Sequence, residues 1–516
     1  MKKRLVALLA IGMAWSLAAP AQDKPADKPA DKPAADAPKK EPPKPEQSVT
    51  QHSIVMGGVP IAYTATAGTL IVRNGKDEPW ASMSYVAYVK KDAAPARRPI
   101  LFAFNGGPGS SSMWLHMGAL GPRRVVVSDV APTPPPPYQV VDNAYGVLDK
   151  TDLVMIDPVG TGLSKAVGEA KDKDFWGADP DIESIARFIR QYVSDNGRWN
   201  SPKYLLGESY GTTRGPGIVD WLQGKGMAFN GIVLVSVAMD LGAIFDYSAN
   251  DRPFPLMLPA FAAVSAYHKV LPSPPANLET FLAEVRQYAV NEYASALLAG
   301  DSLTPARRAA VVQKLHEYTG LSEDYLDRAN LRVGTGKYTQ EILRQKGVTV
   351  GRLDARFLGP TLDILAKEAG YDPQAAAITA AYTAAFLAYY NDELKFGQGK
   401  TYQGTNYEVG AAWDFKHKIP GDEFGQPIID AVPDLARAMT LNPNLRVLVQ
   451  NGDYDLATPT FATQVQLDAL HVTPDLRKNV TLKTYPAGHM MYVNEPSLKA
   501  FKADIAEFID RTSKQP

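Results

Sequence analysis

Cysteine is missing from all 516 positions. That absence excludes disulfides, thiolate nucleophiles, iron–sulfur clusters and cysteine-based zinc sites, so any nucleophile must be oxygen or nitrogen. Histidine is sparse, with seven residues, and neither H-E-x-x-H nor its inverse occurs, which removes the common zinc-hydrolase patterns. An excess of one charge is missing too: 54 basic against 55 acidic side chains leave a formal net charge of -1. That balance creates no field for nucleic acid or an anionic membrane, so neither is expected as a partner. No metal or cofactor is expected either.

Long apolar runs are also missing, with one exception. MKKR opens the chain and Leu5–Ala19 follows as an apolar stretch, with Ala19 and Ala21 in the small-x-small spacing that a signal peptidase accepts. The run is shorter than the roughly 20 residues a spanning helix needs. Residues 1–21 are therefore expected to be a cleaved export signal, with an uncleaved anchor as the alternative, and the mature chain to be periplasmic or secreted. Residues 22–47 repeat a Lys-Pro-Ala-Asp unit with almost no apolar bulk. Such a segment cannot offset its ordering entropy, and a disordered linker is expected.

From Ser48 the pattern is that of a folded domain. VAYVKK, RPILFAFNGG, DLVMIDPVG, KYLLGES, GIVLVSVAM, LRVLVQNGD and VTLKTYPAG are short apolar runs ending in Gly, Asp, Asn or Pro. Runs of this kind, alternating with helical stretches, predict an α/β fold with a mostly parallel sheet and helices on both faces. Ile182, Ile185, Ile189 and Val193 lie at helical spacing and predict a helix packed on that sheet. Between 246 and 413 the texture changes to Ala, Leu, Arg, Glu and Tyr at helical spacing, so a helical lid is expected there. It would divide a core of residues 48–245 from its second part, 414–516.

One short motif raises the question of chemistry. In LLGESYGTTRGP, Ser209 stands between Gly207 and Gly211, after a strand-like run and before a stretch able to start a helix. Glycines permit a sharp strand-to-helix turn there and clear space around the hydroxyl, while the helix start offers amide N–H groups to an oxyanion. A serine hydroxyl needs a base. Of the seven histidines only His489 directly follows a strand-like run through a Gly turn, in VTLKTYPAGHMMY. His52, His268, His316, His417 and His471 read as structural.

The base needs an orienting carboxylate, and LRVLVQNGDYDLATP offers Asp453 and Asp455. Asp455 is the candidate, and Asp453 reads as a turn residue with the catalytic role as its alternative. The order Ser209, Asp455, His489 is that of an α/β-hydrolase. The Tyr210 amide, next to the nucleophile, is one expected oxyanion donor. FAFNGGPGSSS supplies the other, the Gly107 N–H, in a glycine turn that lacks the Gly-Lys-Ser/Thr of a phosphate loop. DPVGTGLSK lacks the third glycine of a dinucleotide fingerprint and reads as a turn beneath the active-site face.

NGGPGSSS, DPVGTGLS, GESYG and NGDYDLATP with a later GH, in this order, resemble the serine carboxypeptidase family. The resemblance covers Ser48 to about Asp240 and Asn442 to the C-terminus. It implies an α/β-hydrolase that removes C-terminal residues from peptides, with Ser209 as nucleophile, His489 as base, Asp455 as its partner, and Gly107 and Tyr210 as the oxyanion hole. It also implies that Asn105, Gly106 and Glu208 bind the substrate and its terminal carboxylate. An acid beside a carboxylate binds only when protonated, which raises its pKa and favours acidic conditions. Two positions depart from the pattern: Ala119 stands where the family has a second Glu, and Ser110 where it has a cysteine. The expected activity is thus an exported serine carboxypeptidase acting through an acyl-enzyme. The alternatives are an esterase, acyltransferase or aminopeptidase-like hydrolase with the same triad, and a non-catalytic binding protein on a hydrolase scaffold. Glu208 as a plain turn acid is the alternative to its role in recognition.

Overall fold

The structure is a computed structural model that describes residues 44–419 and 421–513. The expected export signal, and the expected linker up to residue 43, lie outside the described residues. Gln47, placed at the end of that linker, is instead the first residue of a strand.

Nine strands form the path of the main sheet: β1 (Gln47–Met56), β2 (Val59–Arg73), β3 (Pro79–Lys90), β4 (Ile100–Phe104), β5 (Asp152–Ile156), β6 (Lys203–Glu208), β7 (Gly231–Val235), β8 (Arg446–Gly452) and β9 (Val480–Tyr485). They lie in the order β1-β2-β3-β5-β4-β6-β7-β8-β9, and a two-residue strand, Lys165–Ala166, pairs with β3. From β5 through β9 every neighbouring pair is parallel. Residues of β4, β5, β6 and β7 are buried throughout, as parallel strands covered on both faces must be. Alternate side chains serve the two faces. Phe102, Phe104, Leu205 and Ile232 enter one apolar core. Leu101, Ala103, Leu206 and Val233 enter the other.

The VAYVKK run differs from the parallel expectation. It lies in β3, antiparallel to both β2 and β5. A short turn from β2 into β3 allows no crossover, and without one the pair must be antiparallel. β1 and β2, absent from the apolar runs above, form a hairpin through Gly57 and Gly58, which have φ of 56° and 79°. Two successive left-handed residues define the hairpin turn whose twist matches the strands.

Helix α1 (Ala178–Asp195) buries Ile182, Ile185, Ile189 and Val193, the predicted stripe, against the sheet. Helix α2 (Gly211–Gln223) starts two residues after Ser209. Between β7 and β8 no strand of the main sheet occurs. That span carries helices including α3 (Pro253–Tyr267) and α4 (Pro373–Ala388), and a small strand pair, Val348–Val350 with Leu358–Pro360. Helix α5 (Glu495–Thr512) follows β9.

The register brings the strand ends level. Phe104 pairs with Gly207, Val235 with both Glu208 and Gln450, and Gly452 with Tyr485. The loops after β4, β6, β7, β8 and β9 therefore leave along one carboxyl edge, where open α/β sheets place their ligands.

Ile189 is fully buried between α1 and the sheet. Replacing it by alanine is expected to destabilise the fold by about 2–5 kcal/mol, because the cavity adds to the lost transfer energy. Urea unfolding should show a lower midpoint with an unchanged slope.

Candidate active site

Ser209 sits in the turn between β6 and α2 with φ of 58°. A non-glycine residue in the left-handed region is strained, and such strain persists only where surrounding structure fixes it. Here the Ser209 N–H donates to the Val235 carbonyl at 2.9 Å, and the Ser209 carbonyl accepts from the Thr212 N–H at 2.8 Å. Gly207 beside it and Gly106 of the glycine turn are required by close approach. A Cβ on Gly207 would stand 2.2 Å from the Gly211 carbonyl oxygen, and one on Gly106 would stand 2.4 Å from the Tyr210 nitrogen.

His489 and Asp455 arrive from the loops after β9 and β8. His489 Nδ1 lies 2.7 Å from Asp455 Oδ2. Asp455 has no exposed surface. It also accepts from the Ala457 and Thr458 amides at 2.7 and 3.0 Å and from the Thr458 hydroxyl at 2.5 Å. Burial alone would raise its pKa, but the His489 ring and the Thr458 donors outweigh it and hold Asp455 below the ordinary carboxylate range. Burial likewise opposes charge on His489, and the Asp455 carboxylate overcomes that to raise the imidazole pKa. An Nδ1–H donated to Asp455 leaves Nε2 as the acceptor. Asp453 makes no hydrogen bond to His489.

Ser209 and His489 line one cavity of about 1050 Å³, together with Asn105, Gly106, Gly107 and Glu208. The Ser209 hydroxyl makes no hydrogen bond to a described residue, His489 included; nucleophile–base contacts often tighten only when substrate binds. Neither the Gly107 N–H nor the Tyr210 N–H has an acceptor among the described residues, which leaves both donors free beside Ser209.

Asn105 and Glu208 are paired inside the site. Asn105 Nδ2 donates to Glu208 Oε1 at 2.9 Å, and Asn105 Oδ1 accepts from the Leu115 N–H at 3.0 Å. Glu208 Oε2 and the neighbouring Tyr492 hydroxyl are both buried without a hydrogen-bond partner. Burial pushes Glu208 up to about 7, against the pull of the His489 charge and of the Asn105 donor. Ala119 is buried on the turn after Leu115, where its carbonyl accepts from Asn143 Nδ2 at 2.9 Å. It brings no second acid.

Several supporting residues escape sequence reasoning. Arg214, fully buried on α2, donates from Nε to Asp181 Oδ2 at 2.7 Å and from Nη1 to the Asn105 carbonyl, and lies over the Phe104 and Tyr210 rings. It ties the helix behind the nucleophile to the glycine turn. Its only trace in sequence is an arginine among small residues in GTTRGP. Asp157 of DPVGTGLSK accepts from the Ser112 N–H and hydroxyl at 2.9 and 2.8 Å, and so fixes the far end of the glycine loop. The Ser236 hydroxyl donates to the His489 carbonyl at 2.7 Å. A turn of the span between β7 and β8 crosses both catalytic loops. The His489 N–H donates to the Leu353 carbonyl at 2.6 Å, the Leu456 N–H to the Arg352 carbonyl at 3.0 Å, and the Gly488 N–H to Asp354 Oδ2 at 3.0 Å. The structural histidines stay away from this cluster; His417 bridges Asp179 and Asp434 at 2.6 and 3.0 Å.

The mostly parallel sheet, with a strained serine at one strand end and a histidine–carboxylate pair at two others, gives this protein the α/β-hydrolase fold. Residues 67–242 match the sequence profile described as serine carboxypeptidase. The matched segment holds the glycine loop and the turn that carries Ser209, and over it the chain is similar to that family. Among solved structures it is similar to Kex1(Δ)p, a prohormone-processing carboxypeptidase from Saccharomyces cerevisiae, at 15% identity over 87% of this chain and 91% of that one, with a TM-score of 0.53. Proline iminopeptidase from Mycobacterium smegmatis aligns at 15% identity over 90% and 99%, with a TM-score of 0.34. No curated protein sequence matches the chain.

Gly106→Ala is expected to force the elbow apart, because the new methyl meets backbone rather than a mobile side chain. Overpacking of this kind costs about 1–3 kcal/mol. Covalent labelling by a fluorophosphonate, timed on protein that still melts cooperatively, should slow by more than the loss in melting temperature accounts for. An unchanged labelling rate would show that the elbow tolerates displacement.

Proposed function

We propose that this protein is an exported serine carboxypeptidase that releases C-terminal residues from peptides through an acyl-enzyme. The observation that carries the reading is the buried Asp455–His489 pair in the same cavity as the strained Ser209. His489 Nε2 takes the hydroxyl proton as Ser209 Oγ attacks the scissile carbonyl, and Asp455 orients the ring and offsets its charge. The Gly107 and Tyr210 amides receive the oxyanion. His489 then returns the proton to the leaving amine, and water releases the acyl group by the same steps. Glu208, with Asn105, meets the terminal carboxylate. Export is supported by the basic start, apolar run and small-x-small site of residues 1–21. Among the described residues no helix is long and apolar enough to cross a membrane.

Ala119 favours a second reading, a hydrolase with the same triad that does not require a free C-terminus, since the shared-proton acid pair of the family is incomplete here.

Fluorophosphonate labelling of the wild-type chain and its loss in Ser209→Ala, with kcat lowered by at least about a thousandfold, tests the hydrolase. A peptide-library digest read by mass spectrometry tests the direction of cleavage. Sequential loss from C-termini is expected; internal or N-terminal products would overturn the carboxypeptidase reading. Matched peptides with free and amidated C-termini separate the two substrate classes, and equal rates would favour the second.

The pH dependence follows from two groups. The base limb rises as pH passes the His489 pKa, which lies above the ordinary imidazole value. Glu208 holds its proton below about 7 and loses it above. Its charge then repels a substrate carboxylate, so KM for free-acid peptides should rise through that pH while KM for amides does not. Glu208→Gln should flatten the difference and leave the His489 limb in place. Matching KM profiles in wild type and variant would remove Glu208 from recognition.

A further inference from the structure

Among the described residues, the span between β7 and β8 gives the cavity two charged side chains that the triad and Glu208 do not account for, the acid Asp372 and one basic residue, Arg352. Arg352 is exposed and lines the same cavity as Ser209 and His489. Its backbone is anchored on both sides. The Arg352 N–H donates to Asp372 Oδ2 at 2.7 Å, and its carbonyl accepts from Leu456 on the loop that carries Asp455. The next residue, Leu353, holds the His489 N–H. The position of Arg352 beside the base is thereby set by three elements.

The guanidinium itself makes no hydrogen bond or ion pair with a described residue. The acids around it are occupied elsewhere. Asp372 accepts from the Leu353 N–H at 2.9 Å and from the Ala375 N–H at 2.8 Å, besides Arg352's own amide. Asp354 is paired with Arg356 at 2.7 Å. Asp455 faces His489, and Glu208 faces Asn105. A planar fork of donors, unpaired and open to a cavity, matches a carboxylate in geometry and charge.

We infer that Arg352 is a specificity-determining residue that receives a carboxylate of the substrate in this cavity, a role resting on the hydrolase reading above. The carboxylate belongs either to the peptide's C-terminus or to an Asp or Glu side chain near the scissile bond. Because arginine stays charged at all working pH, this recognition persists where Glu208 has ionised. The same cation opposes charge on His489.

Calorimetric binding to the full Ser209→Ala chain at pH 8 tests the inference without turnover. N-benzoyl-phenylalanine is compared with its amide, and N-benzoyl-glutamate α-amide with N-benzoyl-glutamine α-amide. At least one acid should bind about tenfold or more tightly than its neutral mate, as expected for a hydrogen-bonded charge pair. Adding Arg352→Gln should collapse that preference, and Arg352→Lys should restore part of it. A preference in the first pair assigns the chain end, and in the second the side chain. Equal binding within both pairs, no binding at all, or a preference that survives Arg352→Gln overturns the inference. Failure of the hydrolase reading shows separately, as absent labelling and absent cleavage by the wild-type chain.

Discussion

A carboxylate with no exposed surface is tolerable only if donors replace the water it has lost, and Asp455 has four: two backbone amides, one hydroxyl and one imidazole. Three of them come from its own turn, Ala457 and Thr458, so the acid is fixed before the base arrives. The fourth is His489. Removing that partner would leave a buried charge under-satisfied, which costs several kcal/mol. The site is therefore coupled to stability. The two loops are held together by the desolvation of the acid between them, and the level ends of β8 and β9 bring them within reach.

The nucleophile is held by a different constraint. No described residue bonds the Ser209 hydroxyl, but the backbone around it is crowded. Gly106 and Gly207 let the glycine turn, the end of β6 and the start of α2 approach to distances that a single methyl would forbid. Arg214 then locks the approach from behind through Asn105 and Asp181. Close packing and backbone hydrogen bonds fix Ser209, and side-chain hydrogen bonding fixes the Asp455–His489 pair. The two halves meet across a cavity left open for substrate.

Local features of this arrangement were legible in the sequence and its long-range ties were not. The runs that became β4 to β7 could be read because strands buried on both faces are continuously apolar, and the α1 stripe because its four residues repeat at helical spacing. GESYG could be read because the turn it makes is a matter of five adjacent residues. β1 and β2 were missed because strands with one wet face alternate with polar residues and leave no run. Arg214 and Asn105 lie 109 residues apart, and Gly488 and Asp354 134 apart, and no spacing rule connects them. His489 could be chosen among seven histidines because it alone followed a strand through a glycine turn. Its backbone clamps, Ser236 and Leu353, carry no signature at all.

Those clamps change how the span between β7 and β8 should be regarded. A cover that merely rests over a site can leave without disturbing it. Here one turn, Arg352 to Asp354, is bonded to the loop of the acid and to the loop of the base, and Gly488 has no room for a side chain because Asp354 lies against it. Moving that turn outward would break the hydrogen bond to the His489 N–H and expose the Gly488 amide, so the base would lose its geometry as the entrance widened. Substrate access must then come from parts of the cavity wall that carry no such bonds, such as the small side chains of α4, while the turn at 352–354 stays in place. The segment that shapes the pocket is for the same reason part of what positions the His489 ring.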